Sequence, residues 1–334
     1  MTAIENTLTH SFTDKAGIDL PIICGPMYPC SNPELVAAVS EAGALGVVQP
    51  LSLTYVHGYD FREGLRYIRS LTTKPIGMNA LIEQSSKRYH ARMLEWVEIA
   101  LEEGVRFFIT SLGKPDWVVK RVHAAGGLVY HDVTEKKWAD KVVEAKEIDS
   151  SVDGLIAVNN RAGGHAGNLS TQRLHDELQT YGLPIICAGG ISTSTDYKHA
   201  LQQGYAGVQM GTRFIASAEC NATPAYKQAI VNAKETDIVL SERVSGTPVS
   251  LIHTPYIDKL GLQANRFEKW ILRGKKRKYL LRTLYMLRSL WALKRAILDK
   301  TGSLDYWQAG KSVEGINSIE TVHVIIAQFA ATKN

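Results

Sequence analysis

The stretch "PIICAGGIS", residues 184–192, joins a short apolar run to a pair of glycines. An unbroken apolar run rich in β-branched residues is typical of a strand that is covered on both faces. The segment that follows, 192–204, starts with Ser and Thr and stops at Gly204, as helices commonly do. The stretch therefore predicts one strand–turn–helix unit of a parallel sheet.

Seven further runs of the same kind occur, and most precede a helix-like segment such as "NPELVAAVSEAG" at 32–43. Alternation of strands and helices predicts a parallel sheet with right-handed crossovers. Eight units in about 210 residues fit a (β/α)8 TIM barrel. A doubly wound open sheet is the alternative, and the lack of an early G-x-G-x-x-G fingerprint argues against it. The eight runs are 20–24, 45–48, 75–79, 106–110, 128–133, 154–158, 184–188 and 206–210.

The strand–helix rhythm stops near residue 215. We therefore expect the barrel at 1–215 and a smaller, mainly helical accessory lobe at 216–334. Residues 216–260 are interpreted as helix and loop, with a helix in "ATPAYKQAIVNA" (222–233). A closing helix near the C-terminal end is expected to return to the barrel.

Charge is unevenly distributed over the 334 residues. Twelve Lys and Arg but only two acidic residues lie in 266–300, which gives that segment a charge of +10 and leaves −5 on the remainder. We call residues 265–300 the basic arm. The structural interpretation is a packed helix with a solvated basic face. The functional interpretation is contact with a membrane surface or an anionic partner. Binding to nucleic acid is not expected.

The four cysteines form no C-x-x-C pair, and no metal-ligand spacing occurs, so no metal site is expected. The N-terminal stretch has no signal-peptide pattern, and no apolar run reaches membrane-spanning length. A cytoplasmic location is the simplest expectation.

Glycine turns follow the seventh and eighth predicted strands, in "AGGIS" and "GTRF". TIM barrels often bind phosphate groups at these two loops, because backbone N–H groups there approach the ligand closely. Two such loops favour a phosphorylated cofactor over simple tight turns. The candidate ligands are Gly189, Gly190, Gly211 and Thr212, and Arg213 is a candidate for added charge.

Other candidate residues follow the first, third and sixth strands. The "GPM" turn (Gly25, Pro26, Met27) and Asn79 offer polar groups to a planar ring. His165, in "NNRAGGHAG" (159–167), has the ordinary pKa of a general acid or base, and position alone leaves a surface histidine equally open. His131 shares a strand end with Asp132.

With these residues identified, the sequence resembles the nitronate monooxygenases, which are FMN proteins with a barrel fold. The resemblance covers residues 20–255 and resumes at "YWQAGKSVEGI" (306–316). It is carried by "PIICGPM", "KPIGMN", "RAGGHAG", "PIICAGGIS" and "AGVQMGTRF".

The resemblance implies that the "GPM" turn and Asn79 face the flavin ring, and that Gly189, Gly190, Gly211 and Thr212 hold the FMN phosphate. Gly164 joins this cofactor-binding set, and His165 is implied to be the catalytic base. The implied reaction converts nitroalkanes or nitronates, with dioxygen, into carbonyl compounds and nitrite.

One departure from the family pattern is "VNNR" (158–161), where a Gln-Gly-x-Glu stretch is common, and it suggests an altered substrate preference. Flavin-dependent enoyl-acyl carrier protein reductases, which use NAD(P)H, share the "AGGH-x-G" pattern and remain the second enzymatic possibility. A flavin-binding interaction protein is the third. A small-molecule substrate with dioxygen, and a homo-oligomer, complete these expectations.

Overall fold

The computed structural model describes residues 3–82, 87–143, 151–243, 248–263, 268, 284–285, 287–289, 291–295 and 306–331. Eight parallel strands pair in chain order and close into a barrel, because the first strand also pairs with the eighth. The predicted TIM barrel is therefore confirmed. The strands are β1 (Ile22–Cys24), β2 (Leu45–Val48), β3 (Ile76–Leu81), β4 (Phe107–Ser111), β5 (Leu128–Val133), β6 (Gly154–Val158), β7 (Ile185–Ala188) and β8 (Gly207–Met210).

Helices alternate with these strands on the outside of the barrel. They are α1 (Ala3–Ala16), α2 (Pro33–Glu41), α3 (Phe61–Leu71), α4 (Lys87–Glu102), α5 (Asp116–Ala124), α6 (Lys136–Val143), α7 (Thr171–Leu178) and α8 (Ser194–Gln202). Beyond β8 follow α9 (Thr212–Ile215), α10 (Pro224–Asn232), α11 (Pro255–Leu260) and α12 (Val322–Ala330). None of the helices in the described part of the chain has the length and apolarity that a bilayer crossing requires.

Strand residues alternate between two cores. Val129 and Val133 of β5 pack outward with the helices, whereas Tyr130 packs inward with residues such as Ile109 and Ile156. At the amino-terminal end of the barrel, Phe12 of α1 lies against Tyr130, with ring centroids 5.6 Å apart. The barrel is thus plugged at that end, and its opposite end, where the strands stop, is the mouth.

Residues after α10 depart from the sequence interpretation. The expectation of helix and loop over 216–260 is wrong in part, because β9 (Ile238–Ser241) and β10 (Val249–Ile252) form an antiparallel hairpin. The predicted helix in 222–233 is present as α10. The hairpin strands "IVLS" and "VSLI" each include a serine and are not each followed by a helix, so the strand–helix alternation that predicts the barrel strands does not extend to them.

Helix α12 packs against α2 and α8. Phe329 of α12 meets Tyr197 of α8 edge to face, with ring centroids 5.7 Å apart. In a (β/α)8 barrel, the space between the helices that follow β7 and β1 belongs to the helix after β8. The four-residue α9 is too short to fill that space, so α12 covers it.

Replacing Thr193 by alanine is expected to lower the free energy of unfolding by about 1 kcal/mol. Thr193 caps α8 in a reciprocal capping box with Asp196, so the substitution leaves an N-terminal N–H group without its acceptor. Urea unfolding of the variant measures the loss. Thr180→Ala, at an exposed threonine that caps no helix, is the matched control, and an equal loss there would contradict the capping argument.

Candidate functional site

The inner face of β5 carries an acid at the barrel mouth. Because Tyr130 faces inward and Val133 outward, strand alternation turns Asp132 inward and His131 outward. His131 is buried, its Nδ1 lies 2.8 Å from Thr110 Oγ1, and burial lowers its pKa to about 4. A neutral, outward-facing His131 is a packing residue, so Asp132 is the group of this pair that reaches the mouth.

Two buried side-chain oxygens at the mouth have no hydrogen-bond partner among the residues that the structure describes. They are Oδ1 of Asp132 on β5 and Oε1 of Gln209 on β8. Burial alone raises the pKa of Asp132 to about 7. Buried polar atoms are nearly always paired, so two orphaned oxygens at one end of a barrel indicate a ligand with polar edges.

The β1 and β3 ends approach these groups. A Cβ placed on Gly25 would lie 2.9 Å from Gln209 Cγ, and Gly25 N–H donates to the Met210 carbonyl at 2.9 Å. Asn79 is buried and donates from Nδ2 to the Ile109 carbonyl at 3.2 Å. Pro26 and Met27 continue the turn, and the Met27 sulfur lies 3.3 Å from a Cβ placed on Gly211. The structure thus brings the "GPM" turn beside the β8 end.

The glycine pair after β7 adopts a backbone that favours glycine, with φ of 116° at Gly189 and 79° at Gly190. Side chains from "NNR" hold this turn. Asn159 is fully buried, donates to the Gly189 carbonyl at 3.0 Å, and accepts from Arg161 N–H at 2.8 Å. A Cβ on Gly190 would lie 2.6 Å from Arg161 Nε.

Arg161 then reaches the segment that follows α10. Its guanidinium donates to both carboxylate oxygens of Glu235, at 3.0 and 2.8 Å, and Lys311 Nζ lies 3.3 Å from the same carboxylate. "NNR" was expected to shape substrate preference. In the structure, Asn159 and Arg161 connect the β6 and β7 loops, and Arg161 also binds Glu235. The effect of this stretch on substrate preference stays a prediction.

The turn after β8 contains Gly211 and Thr212. Thr212 is buried, and its Oγ1 accepts from Gly310 N–H at 3.0 Å, so the 306–316 segment backs this turn. Arg213 was a candidate for phosphate charge, but its buried guanidinium pairs with Glu320. That role for Arg213 is wrong, because the side chain is directed toward the segment before α12.

His165 lies in the loop after β6, next to Gly164. Gly164 has a φ of 66°, and its carbonyl accepts from Ser250 N–H of β10 at 2.8 Å. The hairpin therefore holds the loop that carries the histidine. The His165 side chain keeps an exposed surface, yet desolvation by the surrounding protein lowers its pKa. A lowered pKa favours the uncharged imidazole, which is the form able to accept a proton.

The mouth therefore offers what a phosphorylated planar cofactor needs: a positive-φ glycine turn after β7 and unpaired polar side-chain atoms on β5 and β8. Sequence reasoning missed Asp132 and Gln209 as site residues. Their signal was a polar residue at an inward position of an otherwise apolar strand. In the described part of the chain, no group of three or more His, Cys, Asp or Glu side chains could share a metal ion.

Replacing Asp132 by asparagine is expected to stabilise the cofactor-free protein by about 2 kcal/mol at pH 8 and hardly at all at pH 4. Burial raises the pKa of Asp132, so the folded protein keeps a proton that the unfolded chain releases. Stability therefore falls as pH rises from about 4 to 7, and the loss persists above that window. Urea unfolding at both pH values measures it, and a gain of equal size at pH 4 would contradict the argument.

Comparison with known proteins gives consistent results. The family model described as nitronate monooxygenase matches residues 9–331. A probable nitronate monooxygenase from Staphylococcus aureus (strain Newman) is 26% identical over 293 residues, which cover 75% of this chain and 80% of that protein. The "(3aS,4S,5R,7aS)-5-hydroxy-7a-methyl-1-oxo-octahydro-1H-indene-4-carboxyl-CoA dehydrogenase" of Mycobacterium tuberculosis (strain ATCC 25618 / H37Rv) is 28% identical over 257 residues, covering 76% of this chain and 68% of that protein.

Among solved structures, FabK from Thermotoga maritima aligns with a TM-score of 0.76 and 27% identity, covering 96% of this chain and 95% of that chain. The family match spans nearly all of the chain and includes every candidate site residue. FMN, expected from the sequence, is the cofactor of this family, and its members are oxidoreductases. The chain belongs to the nitronate monooxygenase family of FMN-dependent flavoenzymes.

Proposed function

We propose that this chain oxidises alkyl nitronates, and nitroalkanes after removal of their α-proton, with dioxygen to carbonyl compounds and nitrite. The observation that carries the proposal is the position of His165 at the barrel mouth, on a loop after β6 that the β9–β10 hairpin holds through the Ser250 N–H to Gly164 carbonyl bond. A neutral imidazole at the mouth of a barrel has the properties of a general base.

FMN fits the residues at the mouth. Gly189 and Gly190 give the phosphate a close backbone approach, and Gly211 and Thr212 complete that side. Gly25, Pro26, Met27, Asn79 and Gly164 would face the ring. When bound, FMN supplies the electron acceptor for the nitronate, and dioxygen is the final oxidant.

His165 performs the proton transfer for neutral nitroalkanes. It takes the α-proton, and the electron pair of the broken C–H bond moves into the nitro group to give the nitronate. A preformed nitronate needs no such step. The neutral imidazole is therefore required for one class of substrate and dispensable for the other.

A second candidate function is the NAD(P)H-dependent reduction of an enoyl thioester on FMN. It is favoured by 27% identity to FabK over 96% of the chain and by the carboxyl-CoA dehydrogenase relatives. The same loops serve both reactions, because hydride and electron acceptance are properties of the flavin.

Anaerobic reduction of the purified, FMN-loaded protein separates the two functions. Bleaching of the yellow absorption by alkyl nitronate, with no response to NADH or NADPH, is the result expected. Bleaching by NADH or NADPH alone would replace the proposal with the thioester reductase. A protein that takes up no FMN would contradict both.

We further propose that the basic arm binds an anionic lipid surface. Most of the arm lies outside the described residues, but described residues from 284 to 295 are helical. Leu284, Leu287 and Trp291 are 56%, 57% and 60% exposed and share a face with exposed Arg288 and Arg295, whereas Leu293 is buried. Apolar and cationic side chains on one exposed helix face are typical of interfacial helices, and the +10 charge of 266–300 adds attraction.

Sedimentation with phosphatidylcholine vesicles, with and without phosphatidylserine, tests this surface. Binding only to the anionic vesicles, lost in Leu287→Gln/Trp291→Ala, is expected. Trp138→Ala, at a 42% exposed tryptophan on α6, is the matched control. Absence of binding, or an equal loss in the control, would overturn the proposal, and size-exclusion chromatography in the same experiment tests the expected homo-oligomer.

A further inference from the structure

Asp132 is the only carboxyl residue in the eight barrel strands, and those strands contain no Lys or Arg. Strand alternation turns it into the barrel mouth, as shown above. Aspartate is unfavourable in strands and expensive to bury without a partner. Packing of the barrel therefore does not explain a carboxyl at this position, and a polar ligand would.

The neighbours of Asp132 on the inner face of β4, β5 and β6 carry no charge that could neutralise it. On the inner face, β4 presents Ile109 and Ser111 beside it, and β6 presents Ile156 and Val158. None of these titrates. Tyr130, the previous inward residue of β5, has a pKa that burial raises further above its ordinary value. The loop after the neighbouring strand β6 carries an ionisable residue, His165.

A ligand bound next to this carboxyl would therefore change whether Asp132 is protonated. Oδ1 is buried and has no hydrogen-bond partner in the described part of the chain, and desolvation raises the pKa of the group to about 7. A group poised near neutrality at the mouth of a site is typical of residues that contact a cofactor or substrate.

We infer that Asp132 is a further site residue, whose carboxyl contacts the bound FMN ring and sets how readily that ring accepts electrons. The inference rests on the proposed placement of FMN in the barrel mouth. When protonated, Asp132 is neutral and donates a hydrogen bond. When ionised, it places a negative charge beside a group that becomes more negative on reduction, which disfavours electron uptake.

The test compares FMN bound to the full chain and to Asp132→Asn, which cannot ionise but keeps the size of the side chain. Below pH 6 the two midpoint potentials are expected to be similar. As pH rises through about 7, the potential of the original protein is expected to fall below that of Asp132→Asn. Protonation of the ring itself and of His165 occurs in both proteins and cancels in the difference.

Asp14→Asn is the matched control, because Asp14 is exposed on α1 at the plugged end of the barrel and loses the same charge. A difference independent of pH, or one reproduced by Asp14→Asn, would overturn the inference. A spectral titration of bound FMN in the unaltered protein gives a second test that needs no variant: a pH-dependent shift with a midpoint well above that of a free carboxyl is expected. A spectrum that does not change between pH 5 and 9 would also overturn it.

These outcomes remain distinguishable from failure of the proposed function. If the protein binds no FMN, no midpoint potential can be measured, and both the proposed function and the role of Asp132 are contradicted. A protein that binds FMN and oxidises nitronates, yet shows no pH-dependent difference, removes only the role of Asp132.

Discussion

Replacing His165 by asparagine is expected to lower kcat/KM for a neutral nitroalkane by about 10²- to 10⁴-fold, the usual contribution of a general base. The preformed nitronate of the same compound should be oxidised with little change. The reason is that only the neutral substrate must lose a proton, and desolvation keeps the imidazole of His165 uncharged. Steady-state oxygen consumption with both forms of one substrate measures the difference.

The matched control is His199→Asn, at an exposed histidine on α8. It should leave both activities unchanged. Equal losses with nitroalkane and nitronate in His165→Asn would contradict a proton-abstracting role and would point to a loop that no longer holds FMN. Measuring the FMN content of the variant separates those two explanations.

Replacing Asn159 by alanine is expected to lower the free energy of unfolding by about 3 to 4 kcal/mol, since buried groups that lose their partners each cost about 1–3 kcal/mol. Asn159 Nδ2 donates to the Gly189 carbonyl at 3.0 Å and to Thr171 Oγ1 at 3.2 Å, and Oδ1 accepts from Arg161 N–H at 2.8 Å. The variant should also bind FMN more weakly, because the β6 and β7 loops lose their connection.

Asn160→Ala provides the control, because this neighbouring asparagine is exposed. Its unfolding free energy should change by less than about 0.5 kcal/mol, as for most surface positions. Chemical denaturation of the cofactor-free proteins measures both effects. A loss in Asn159→Ala no larger than in Asn160→Ala would show that the buried hydrogen bonds do not hold the loops together.

The barrel was predictable because every strand is covered on both faces. Complete coverage makes a strand read as an unbroken apolar run, and three of the eight predicted runs, 45–48, 128–133 and 154–158, match their strands residue for residue. The glycine turns were predictable for a related reason, since a φ of 116° or 79° is open to glycine and to few other residues.

Side-chain partners were less accessible to sequence reasoning. Arg213 lies in a candidate phosphate turn and Arg161 lies in the "NNR" stretch, yet each pairs with a distant acid, Glu320 or Glu235. Sequence spacing does not reveal partners that lie 74 and 107 residues away. Asp132 and His131 are neighbours in the sequence, and the ordinary pKa of histidine, which is nearer neutrality, makes His131 the more obvious candidate. The faces that the two side chains take in the barrel show that Asp132 is the one at the mouth.

The position of α12 has a consequence for the order in which the molecule is made. During synthesis the eight strands emerge first, but the helix between α2 and α8 arrives about a hundred residues after β8. Until then, Tyr197 of α8 faces water at the place where Phe329 later packs. The nascent barrel therefore exposes an apolar surface between α2 and α8, which a chaperone could bind or a protease could attack until α12 has been synthesised.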